Sequence, residues 1–443
     1  MNTAQTLTRS TLENKLADRT ATVIVIGLGY VGLPLAVEVA KAGLNVIGLE
    51  ILQKKVDTIS AGHSDIDDID DATLAPLVKA GKLRATLDPC VLATADCVAI
   101  CVPTPLSKTK DPDVSYILAA VESVVTHLHK DMLVVLESTT YPGTTEELIR
   151  PKLEAGGLKV GRDFYLAFSP ERVDPGNPQY GTKNTPRIVG GTTPACTRVA
   201  QVFYRIFLDS VVPVSSTQAA ETVKLLENTF RSVNIGLVNE VALMCDRLNL
   251  DVWEIIEAAA TKPFGFMPFY PGPGLGGHCI PIDPHYWSWK LKSLNYYARF
   301  IELAGEINSH MPEYVVDRTA RLLNEDGKAL RGARILILGV AYKRDISDVR
   351  ESPSLDVIRL LHVRGAQVTY ADPHVPSVKM EDGSDMRAID LTDTALAAAD
   401  CVVILTDHSA FDYPHICATS RLVFDCRNAT KHVPPGTGRV RKL

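Results

Sequence analysis

The stretch "ATVIVIGLGYVGLPLAVEVAKAG", residues 21–43, decides the fold of the N-terminal half. A β-branched run leads into Gly27-x-Gly29-x-x-Gly32, and a pattern of helical period follows it. The next apolar run, "NVIGLE", ends on Glu50. This order of strand, glycine turn, helix, strand and acid predicts a dinucleotide-binding α/β fold. The alternative is a glycine turn in an unrelated α/β protein.

The three glycines and the acid have different tasks in such a fold. Gly27 permits the tight turn, Gly29 lets backbone amides approach a pyrophosphate, and Gly32 allows the helix to pack closely on the strand. The phosphates would lie at the helix N-terminus, where N–H groups lack helical partners. Glu50 would accept hydrogen bonds from the adenosine ribose hydroxyls and would repel a 2′-phosphate, so NAD is favoured over NADP.

A partial internal repeat extends the same fold to the C-terminal half. "ADCVAICVPTP" at 95–105 is similar to "ADCVVILTDH" at 399–408, and residues 22–32 are echoed by "RILILGVAYKRD" at 334–345. In each pair an acid or a glycine turn accompanies a buried-strand pattern. The chain is therefore predicted to be an α/β protein with two Rossmann-like doubly wound domains.

The second unit keeps one turn glycine, Gly339, but has "VAYKRD", with Lys343 and Arg344, where the remaining glycines would be. Their side chains would fill the space that a close pyrophosphate needs. This half is therefore predicted to bind a different anion, held by side-chain cations.

Residues 217–250 join the two halves and show apolar residues at helical spacing without a proline. One long helix, or two nearly continuous ones, is expected. A long helix that is apolar on more than one face packs against something beyond its own domain, which predicts a homodimer interface. An intrachain connector is the alternative.

Composition limits the class of protein. With 46% hydrophobic and 22% charged residues, a net charge of −6 and no basic stripe, the chain is not expected to bind nucleic acid or insert into a membrane. Nine cysteines without a C-x-x-C pair favour neither a disulfide framework nor a metal site, so a reducing cytoplasm is expected. Residues 1–20 are polar and are read as an N-terminal extension.

One cysteine has an unusual setting. Cys279 lies in "GPGLGGHCIPIDP", residues 272–284, a run too rich in glycine and proline for an ordinary helix or strand. The glycines at 274, 276 and 277 would let the backbone pass close to a bulky substrate. Cys279 is therefore a candidate nucleophile, with a packed apolar thiol as the alternative reading.

Seven motifs, taken in order, resemble the UDP-glucose/GDP-mannose dehydrogenase family from residue 21 onward. They are "GLGYVGLPLA", "CVPTP", "ESTTYPGTT", "SPERVDPGNP", "ETVKLLENTF", "PGPGLGGHCIPIDP" and "GVAYKRDISDVRESPS". The resemblance implies oxidation of a nucleotide sugar's C6 alcohol to a carboxylate with two NAD⁺, through a thiohemiacetal and a thioester on Cys279. The versions present here are most similar to the branch that acts on UDP-N-acetylhexosamines. UDP-N-acetylglucosamine is the preferred substrate; the N-acetylmannosamine, N-acetylgalactosamine and glucose forms are the alternatives.

The resemblance also implies domains and site residues. The domains are an extension at 1–20, an NAD-binding domain at 21–215, a central helical region with the cysteine loop at 216–317, and a UDP-sugar-binding domain at 318–443. The catalytic set is Cys279, Lys224, Asn228, Asp283, Glu171 and Thr139. The cofactor set is Gly27, Gly29, Tyr30, Val31, Gly32, Glu50, Val102, Pro103, Thr104, Ser138 and Thr139. The substrate set is Glu171, Arg172, Val173, Lys224, Asn228, Phe269, Tyr270, Gly274, Gly276, Lys343 and Arg350.

The residue types fit these roles. Lys224 and Asn228, spaced i, i+4, share a helical face and can present an ammonium and an amide to one oxygen. Asp283 would orient or deprotonate the hydrolytic water with Lys224, while Glu171 would act in thioester hydrolysis. Arg350 would grip a phosphate, or else form a domain-interface ion pair.

Two residues and two rival functions complete the expectations. Pro175 stands where some relatives carry a second glutamate, which we interpret as a branch difference, and His278 is interpreted as structural. A two-electron dehydrogenase of the β-hydroxyacid type would not need Cys279. A non-catalytic nucleotide-sugar-binding protein would produce no NADH.

Overall fold

The computed structural model describes residues 11–66, 68–106, 111–174, 177, 179–277 and 279–443. Two units are distinguished by their internal contacts. The first holds the described residues up to Glu227 together with His285–Asn295, and the second holds Asn228–Pro284 and Tyr296–Leu443. Within the described part of the chain, every helix is too short or too polar to serve as a transmembrane span.

Eight strands form the sheet of the first unit: β1 Thr22–Ile26, β2 Asn45–Leu49, β3 Leu83–Thr86, β4 Cys97–Ile100, β5 Leu133–Leu136, β6 Tyr165–Phe168, β7 Arg187–Gly191 and β8 Val211–Val214. Their order is β3-β2-β1-β4-β5-β6-β7-β8, and the β6–β7 pair is antiparallel while the other pairs are parallel. The helices that accompany them are α1 Thr11–Ala17, α2 Gly32–Lys41, α3 Gln53–Ser60, α4 Asp71–Lys79, α5 Ser115–His127, α6 Arg150–Glu154 and α7 Pro194–Tyr204.

The strand sequences explain this order. The inner strands β4, β5 and β6 read "CVAI", "LVVL" and "YLAF" and are buried at every position, as expected for parallel strands covered on both faces. β8 lies at an edge, where Pro213 needs no ladder hydrogen bond from its nitrogen. The chain reverses its direction of winding between β1 and β4, so their carboxyl ends border the crevice where such sheets bind ligands.

The next helices along the chain are α8 Thr217–Leu248, α9 Val252–Ala260, α10 Asp283–Lys292 and α11 Arg299–Glu325. The helix expected over 217–250 is a single helix of 32 residues, and it contributes residues to both units.

The second unit contains a five-stranded parallel sheet of β9 Arg334–Leu338, β10 Gln367–Ala371, β13 Cys401–Ile404, β14 Val423–Asp425 and β15 Val440–Lys442, in the order β10-β9-β13-β14-β15. A small hairpin of β11 Ser377–Lys379 and β12 Asp385–Arg387 and the helices α12 Pro353–Val363, α13 Asp393–Ala398 and α14 Tyr413–Thr419 complete it.

The internal repeat is confirmed at the level of single hydrogen bonds. Asp96, before β4, accepts a bond from the Thr22 amide at 2.9 Å, and Asp400, before β13, accepts one from the Arg334 amide at 2.8 Å. Each acid thus satisfies the first amide of the neighbouring strand, which explains why an acid precedes both apolar runs. The predicted fold class of two doubly wound units and a central helical region is confirmed.

Candidate active site

The turn between β1 and α2 separates the tasks of its glycines. An added Cβ would lie 2.6 Å from the Cys101 carbonyl oxygen at Gly27, where φ is +87°, and 1.8 Å from the Gly27 carbonyl oxygen at Gly32. At Gly29 it would meet no atom within 4 Å. Tyr30 and Val31 lead into α2, which begins without a side-chain cap. The open side of Gly29 and the uncapped helix end fit the pyrophosphate of a dinucleotide.

Glu50 is held at the end of β2. Its Oε2 accepts a hydrogen bond from the Leu28 amide at 3.0 Å, and its Oε1 accepts one from the Ile51 amide at 2.8 Å. A carboxylate oxygen accepts more than one bond, so Glu50 can be fixed by the turn and still receive ribose hydroxyls.

The segments after β4 and β5 carry the other predicted cofactor residues. The Ser138 hydroxyl accepts from the Val102 amide at 3.0 Å and donates to the Val102 carbonyl at 2.8 Å. Ser138 is buried, and these bonds of its side chain fix the segment of Val102 and Pro103. Thr139 next to it is half-buried. The carbonyl of Thr104 accepts a hydrogen bond from the buried Tyr286 hydroxyl.

Glu171 follows β6 with both carboxylate oxygens engaged. Oε1 accepts from the amides of Arg172 and Val173 at 2.7 and 2.8 Å, and Oε2 lies 2.9 Å from Nη2 of Arg187. Burial opposes ionisation, but the Arg187 cation, these amides and the Lys224 ammonium outweigh it and lower the pKa of Glu171. Glu171 is therefore a carboxylate at neutral pH, better suited to orienting water than to taking its proton.

Sequence reasoning missed a buried hydrogen-bonded network next to Glu171, which consists of Arg187, Glu137 and Tyr204. Nη1 of Arg187 donates to Glu137 Oε2 at 3.3 Å and to the Pro170 carbonyl at 3.0 Å, and the Tyr204 hydroxyl donates to Glu137 Oε1 at 2.6 Å. Burial raises the pKa of Glu137, although Arg187 opposes that shift. The signal in the sequence is a charge adjoining an apolar strand run, as in "LVVLE" and "RIVGG".

Side chains of the first turns of α8 bond to the two segments that follow β5 and β6. The buried Glu221 accepts hydrogen bonds from two amides of the segment after β5, at 2.6 and 2.9 Å. One turn later the Lys224 ammonium donates to the Glu171 carbonyl at 2.6 Å, and after another turn Glu227 pairs with Arg172 at 2.5 Å. Spacing by three residues places these side chains on neighbouring parts of one helix surface. Glu221 and Glu227 were not predicted.

The glycines of the cysteine loop have a reason other than the expected one. An added Cβ would lie 3.0 Å from Pro353 Cβ at Gly274, 2.5 Å from Tyr342 Cβ at Gly276, and 2.9 Å from the Tyr342 ring at Gly277. The space left by the missing side chains is filled by protein. Close packing of the loop on Tyr342 and on Pro353, the first residue of α12, therefore favours glycine at these positions independently of any substrate.

The start of the same loop is fixed by two buried asparagines. Asn239 of α8 accepts from the Gly272 amide at 3.0 Å and donates to Asn308 of α11 at 2.9 Å, while Asn308 donates to the Ser232 carbonyl at 3.1 Å. These bonds tie the loop to two helices of the second unit. Neither asparagine was predicted.

Cys279, Asp283 and Asn228 lie together in the second unit. The Asp283 amide donates to the Cys279 carbonyl at 2.7 Å, which closes a turn at the start of α10. The Asn228 amide donates to Asp283 Oδ2 at 2.5 Å, and Asp283 is buried. Cys279 is half-buried. Cys97 in β4, Cys101 directly after it and Cys401 in β13 are buried, and burial raises the pKa of each thiol, that of Cys401 to about 12.

The predicted substrate residues of the second unit are partly engaged with neighbours. Phe269 packs edge-on against Phe230, with 5.7 Å between centroids, and the exposed Tyr270 stacks on Trp253 at 6.1 Å. Arg350 pairs with Asp348 two residues away, at 2.6 Å, and Lys343 is half-buried. The ion pair of Arg350 is therefore local.

The glycine turn of the second unit is occupied by an internal anion. Asp372, after β10, accepts from the Val340 and Ala341 amides at 2.7 and 3.2 Å and from His408 Nε2 at 3.0 Å. These bonds and the nearby imidazole lower the pKa of Asp372, although burial opposes them. Asp372 thus bonds the amide that follows the turn glycine as Glu50 does in the first unit, so this contact is common to both units.

Three potential metal ligands, Asp345, His374 and His408, place their donor atoms within 4.8 Å of one another. Nδ1 of His408 accepts a hydrogen bond from the Asp345 amide at 3.0 Å, and Nε2 is bound to Asp372. Both ring nitrogens of His408 are therefore in use, so a metal would have to break one of these bonds. We assign the cluster to holding the turn after β9.

Three family models match the chain along most of its length. They describe the NAD-binding, central and UDP-binding domains of the UDP-glucose/GDP-mannose dehydrogenase family and match residues 21–208, 218–310 and 336–432. The chain belongs to the UDP-glucose/GDP-mannose dehydrogenase family. It is therefore an NAD-using enzyme of the nucleotide-sugar 6-dehydrogenase class, and the glycine turn, Cys279 and Lys343 lie within the NAD-binding, central and UDP-binding matches respectively.

Individual members of this dehydrogenase family are similar over nearly their whole length. The UDP-N-acetyl-D-mannosamine dehydrogenase of Methanococcus maripaludis strain C7 is 35% identical, covering 93% of both chains. The NDP-N-acetyl-D-galactosaminuronic acid dehydrogenase of Ralstonia nicotianae is 37% identical, covering 92% of this chain and 95% of its own. The solved UDP-D-ManNAc dehydrogenase of Pyrococcus horikoshii is 34% identical with a TM-score of 0.86, covering 95% and 99%.

In this dehydrogenase the first unit holds the predicted cofactor residues with Thr139, Glu171 and Lys224, and the second holds Asn228, Cys279 and Asp283. Two further residues were interpreted from the sequence, His278 as structural and Pro175 as a branch difference. Both lie outside the residues that the structure describes.

Proposed function

We propose that the enzyme oxidises the C6 alcohol of a UDP-N-acetylhexosamine to the uronic acid in two steps through Cys279. The observation that carries the proposal is the position of this thiol. Cys279 lies in a loop fixed by Asn239 and by close glycine packing, next to the Asn228–Asp283 pair. A half-buried cysteine in a fixed loop, whose carbonyl bonds the amide of the buried Asp283, suits covalent catalysis better than simple packing.

The roles of the side chains follow from the chemistry. Bound NAD⁺ would supply the hydride acceptor for each of the two oxidations, so two NADH would form per sugar. The Cys279 thiolate adds to the C6 aldehyde to give a thiohemiacetal; loss of hydride leaves a thioester, and water releases the acid and the thiolate. Lys224 and Asn228 stabilise the oxyanion of the tetrahedral species.

Hydrolysis of the thioester needs an oriented water. We assign Asp283, held by the Asn228 amide at 2.5 Å, to that water together with Lys224. Glu171, whose pKa is lowered, acts as a fixed carboxylate that orients water, and Thr139 assists. Lys343 and Arg350 bind the diphosphate, which for Arg350 requires exchange of its Asp348 partner.

The identity of the hexosamine is the open choice. The sequence motifs predict UDP-N-acetylglucosamine. Two similar proteins, from Methanococcus maripaludis and Pyrococcus horikoshii, are UDP-N-acetylmannosamine dehydrogenases, which favours UDP-N-acetylmannosamine as the second candidate. Both are UDP-N-acetylhexosamines. The enzyme would make the uronic acid in the cytoplasm, and the uronic acid would serve as a building block of surface polysaccharide.

A homodimer through α8 is part of the proposal. Phe230, Leu237, Met244 and Leu248 of this helix are 48–67% exposed. Steps of seven, seven and four residues keep them within a narrow stripe of the helix, about 27 Å long. An apolar stripe of this length on a surface helix is typical of a coiled-coil-like contact with a second copy.

The experiment is a substrate panel followed by NADH absorbance and product analysis. UDP-glucose, the UDP derivatives of N-acetylglucosamine, N-acetylgalactosamine and N-acetylmannosamine, and GDP-mannose are compared at equal concentration. Two NADH per sugar acid with one UDP-N-acetylhexosamine are expected. One NADH with a free aldehyde or ketone supports a two-electron dehydrogenase, and tight binding without NADH supports a non-catalytic role.

A further inference from the structure

Arg187 occupies a position that the direction of β7 creates. β5 and β6 are parallel, so the segments that follow them lie at the same edge of the sheet. β7 runs antiparallel to β6, which brings its first residue, Arg187, to that edge. A parallel β7 would have placed its last residue there. The single reversal in this sheet thus delivers one guanidinium to the ends of two strands.

The guanidinium joins the two segments directly. Nη1 binds Glu137, the first residue after β5, and the Pro170 carbonyl after β6, and Nη2 lies 2.9 Å from Glu171 Oε2. Arg187 and Glu137 are 3% and 0% exposed in their side chains, against 14% for Glu171. The Arg187 carbon Cζ also lies 5.4 Å from the centre of the Tyr204 ring. All three charges are thus almost withdrawn from water.

The charges explain what this contact does. Two buried carboxylates beside each other repel, and a shared cation allows both to remain ionised. A further charge near Glu171 is the Lys224 ammonium of α8, whereas the guanidinium of the neighbouring Arg172 pairs with Glu227. The titratable groups around it are the Cys101 thiol after β4 and the Tyr204 hydroxyl of α7.

We propose that Arg187, with Glu137 as its counter-anchor, is a positioning residue that holds Glu171 ionised and fixed relative to the segment carrying Thr139. This inference rests on the proposed role of Glu171 in thioester hydrolysis. Arg187 acts through Glu171, because its own side chain is only 3% exposed. Its removal must therefore change the pH at which Glu171 functions, an effect that a merely structural residue would not have.

The test is the pH profile of kcat and kcat/KM for NADH production in the intact enzyme. In Arg187→Gln, Glu171 loses its cation while Glu137 remains, so its pKa rises. Between pH 7.5 and pH 5.5, the kcat of Arg187→Gln should fall by a factor at least about 10 times larger than the kcat of the wild type does. At higher pH the kcat of the variant should recover. Glu137→Gln leaves the whole cation to Glu171, and its acid limb is expected at the wild-type pH or lower.

Two further variants protect the test against misfolding. Glu137→Gln combined with Arg187→Gln leaves no unpaired charge at these two positions, yet Glu171 still lacks its cation, so the acid limb must still move to higher pH. Arg187→Lys keeps the charge without the fork, and it is expected to lower kcat at every pH with the limb near the wild-type position. Arg162→Gln, at an exposed arginine paired with Asp163, is the surface control.

The outcomes separate the two proposals. No NADH from wild-type enzyme with any UDP-sugar rejects the proposed function. Normal wild-type turnover, together with an unmoved acid limb in both the Arg187→Gln and the double variant, rejects the role of Arg187. A shift of the acid limb to higher pH in Glu137→Gln as well as in Arg187→Gln also rejects the role of Arg187.

Discussion

Two glycines of the cofactor turn make a matched pair, because the same added methyl group has opposite consequences. At Gly32 an alanine Cβ would lie 1.8 Å from the Gly27 carbonyl oxygen, so the helix or the turn must move by about 1 Å or more. Overpacking of this kind costs about 3 kcal/mol, and the better helix propensity of alanine returns about 1 kcal/mol. Gly32→Ala should therefore lose about 2 kcal/mol, or about 4–8 °C in Tm.

Gly29→Ala should leave the fold intact. Its Cβ meets no protein atom within 4 Å, so the free energy of unfolding should change by less than about 0.5 kcal/mol. The methyl group instead enters the space left for the pyrophosphate, and the Kd for NAD should rise at least about 10-fold, or about 1.4 kcal/mol. At NAD concentrations 100 times the wild-type Kd, this removes about half of the roughly 2.7 kcal/mol of ligand stabilisation.

The assay is thermal unfolding of both variants and the wild type, with and without NAD, supported by calorimetric titration of NAD. A normal NAD-dependent rise in Tm for Gly29→Ala would refute the placement of the pyrophosphate. An unchanged Tm for Gly32→Ala would refute the packing argument.

Further expectations concern the thiol, its loop, the long helix and one buried acid. Cys279→Ser should block acid formation while UDP still raises Tm, and full acid production measured by chromatography would contradict the covalent role. In Gly276→Ala the new Cβ meets Tyr342 at 2.5 Å, so urea unfolding should show a loss of about 1–3 kcal/mol and alkylation of the loop thiol should change rate; wild-type values for both would be inconsistent with the packing. Leu237→Glu should yield a monomer by light scattering, whereas a persistent dimer would place the interface elsewhere. Burial opposes ionisation of Asp400, but its bonds to Arg334 and Lys328 lower its pKa to about 2, so Asp400→Asn should cost up to about 2 kcal/mol at pH 7. This contribution is present above the unfolded pKa near 4 and is lost as pH falls toward 2, so the stability gap between the variant and wild type should narrow from pH 5 to pH 3; a constant gap would contradict the assignment.

The sequence by itself determined the elements and the fold class. Apolar strand runs, the glycine turn after β1, the uninterrupted helical pattern of α8 and the acids Asp96 and Asp400 are signals carried within a few residues. Backbone geometry and burial act locally on each of them, so the pattern could be recognised without knowing what lies opposite. The predicted roles of the site residues came from motif resemblance and stay proposals.

Tertiary structure decided the contacts that hold the site. Glu137 and Arg187 are 50 residues apart in the sequence, and the antiparallel pairing of β7 with β6 brings their side chains together next to Glu171. The sequence predicts that Gly276 lets the backbone approach a substrate, but the side chain on which Gly276 packs, Tyr342, lies 66 positions later in the sequence. Burial and pairing of charges depend on which distant segments meet, and no local pattern of residues records that meeting.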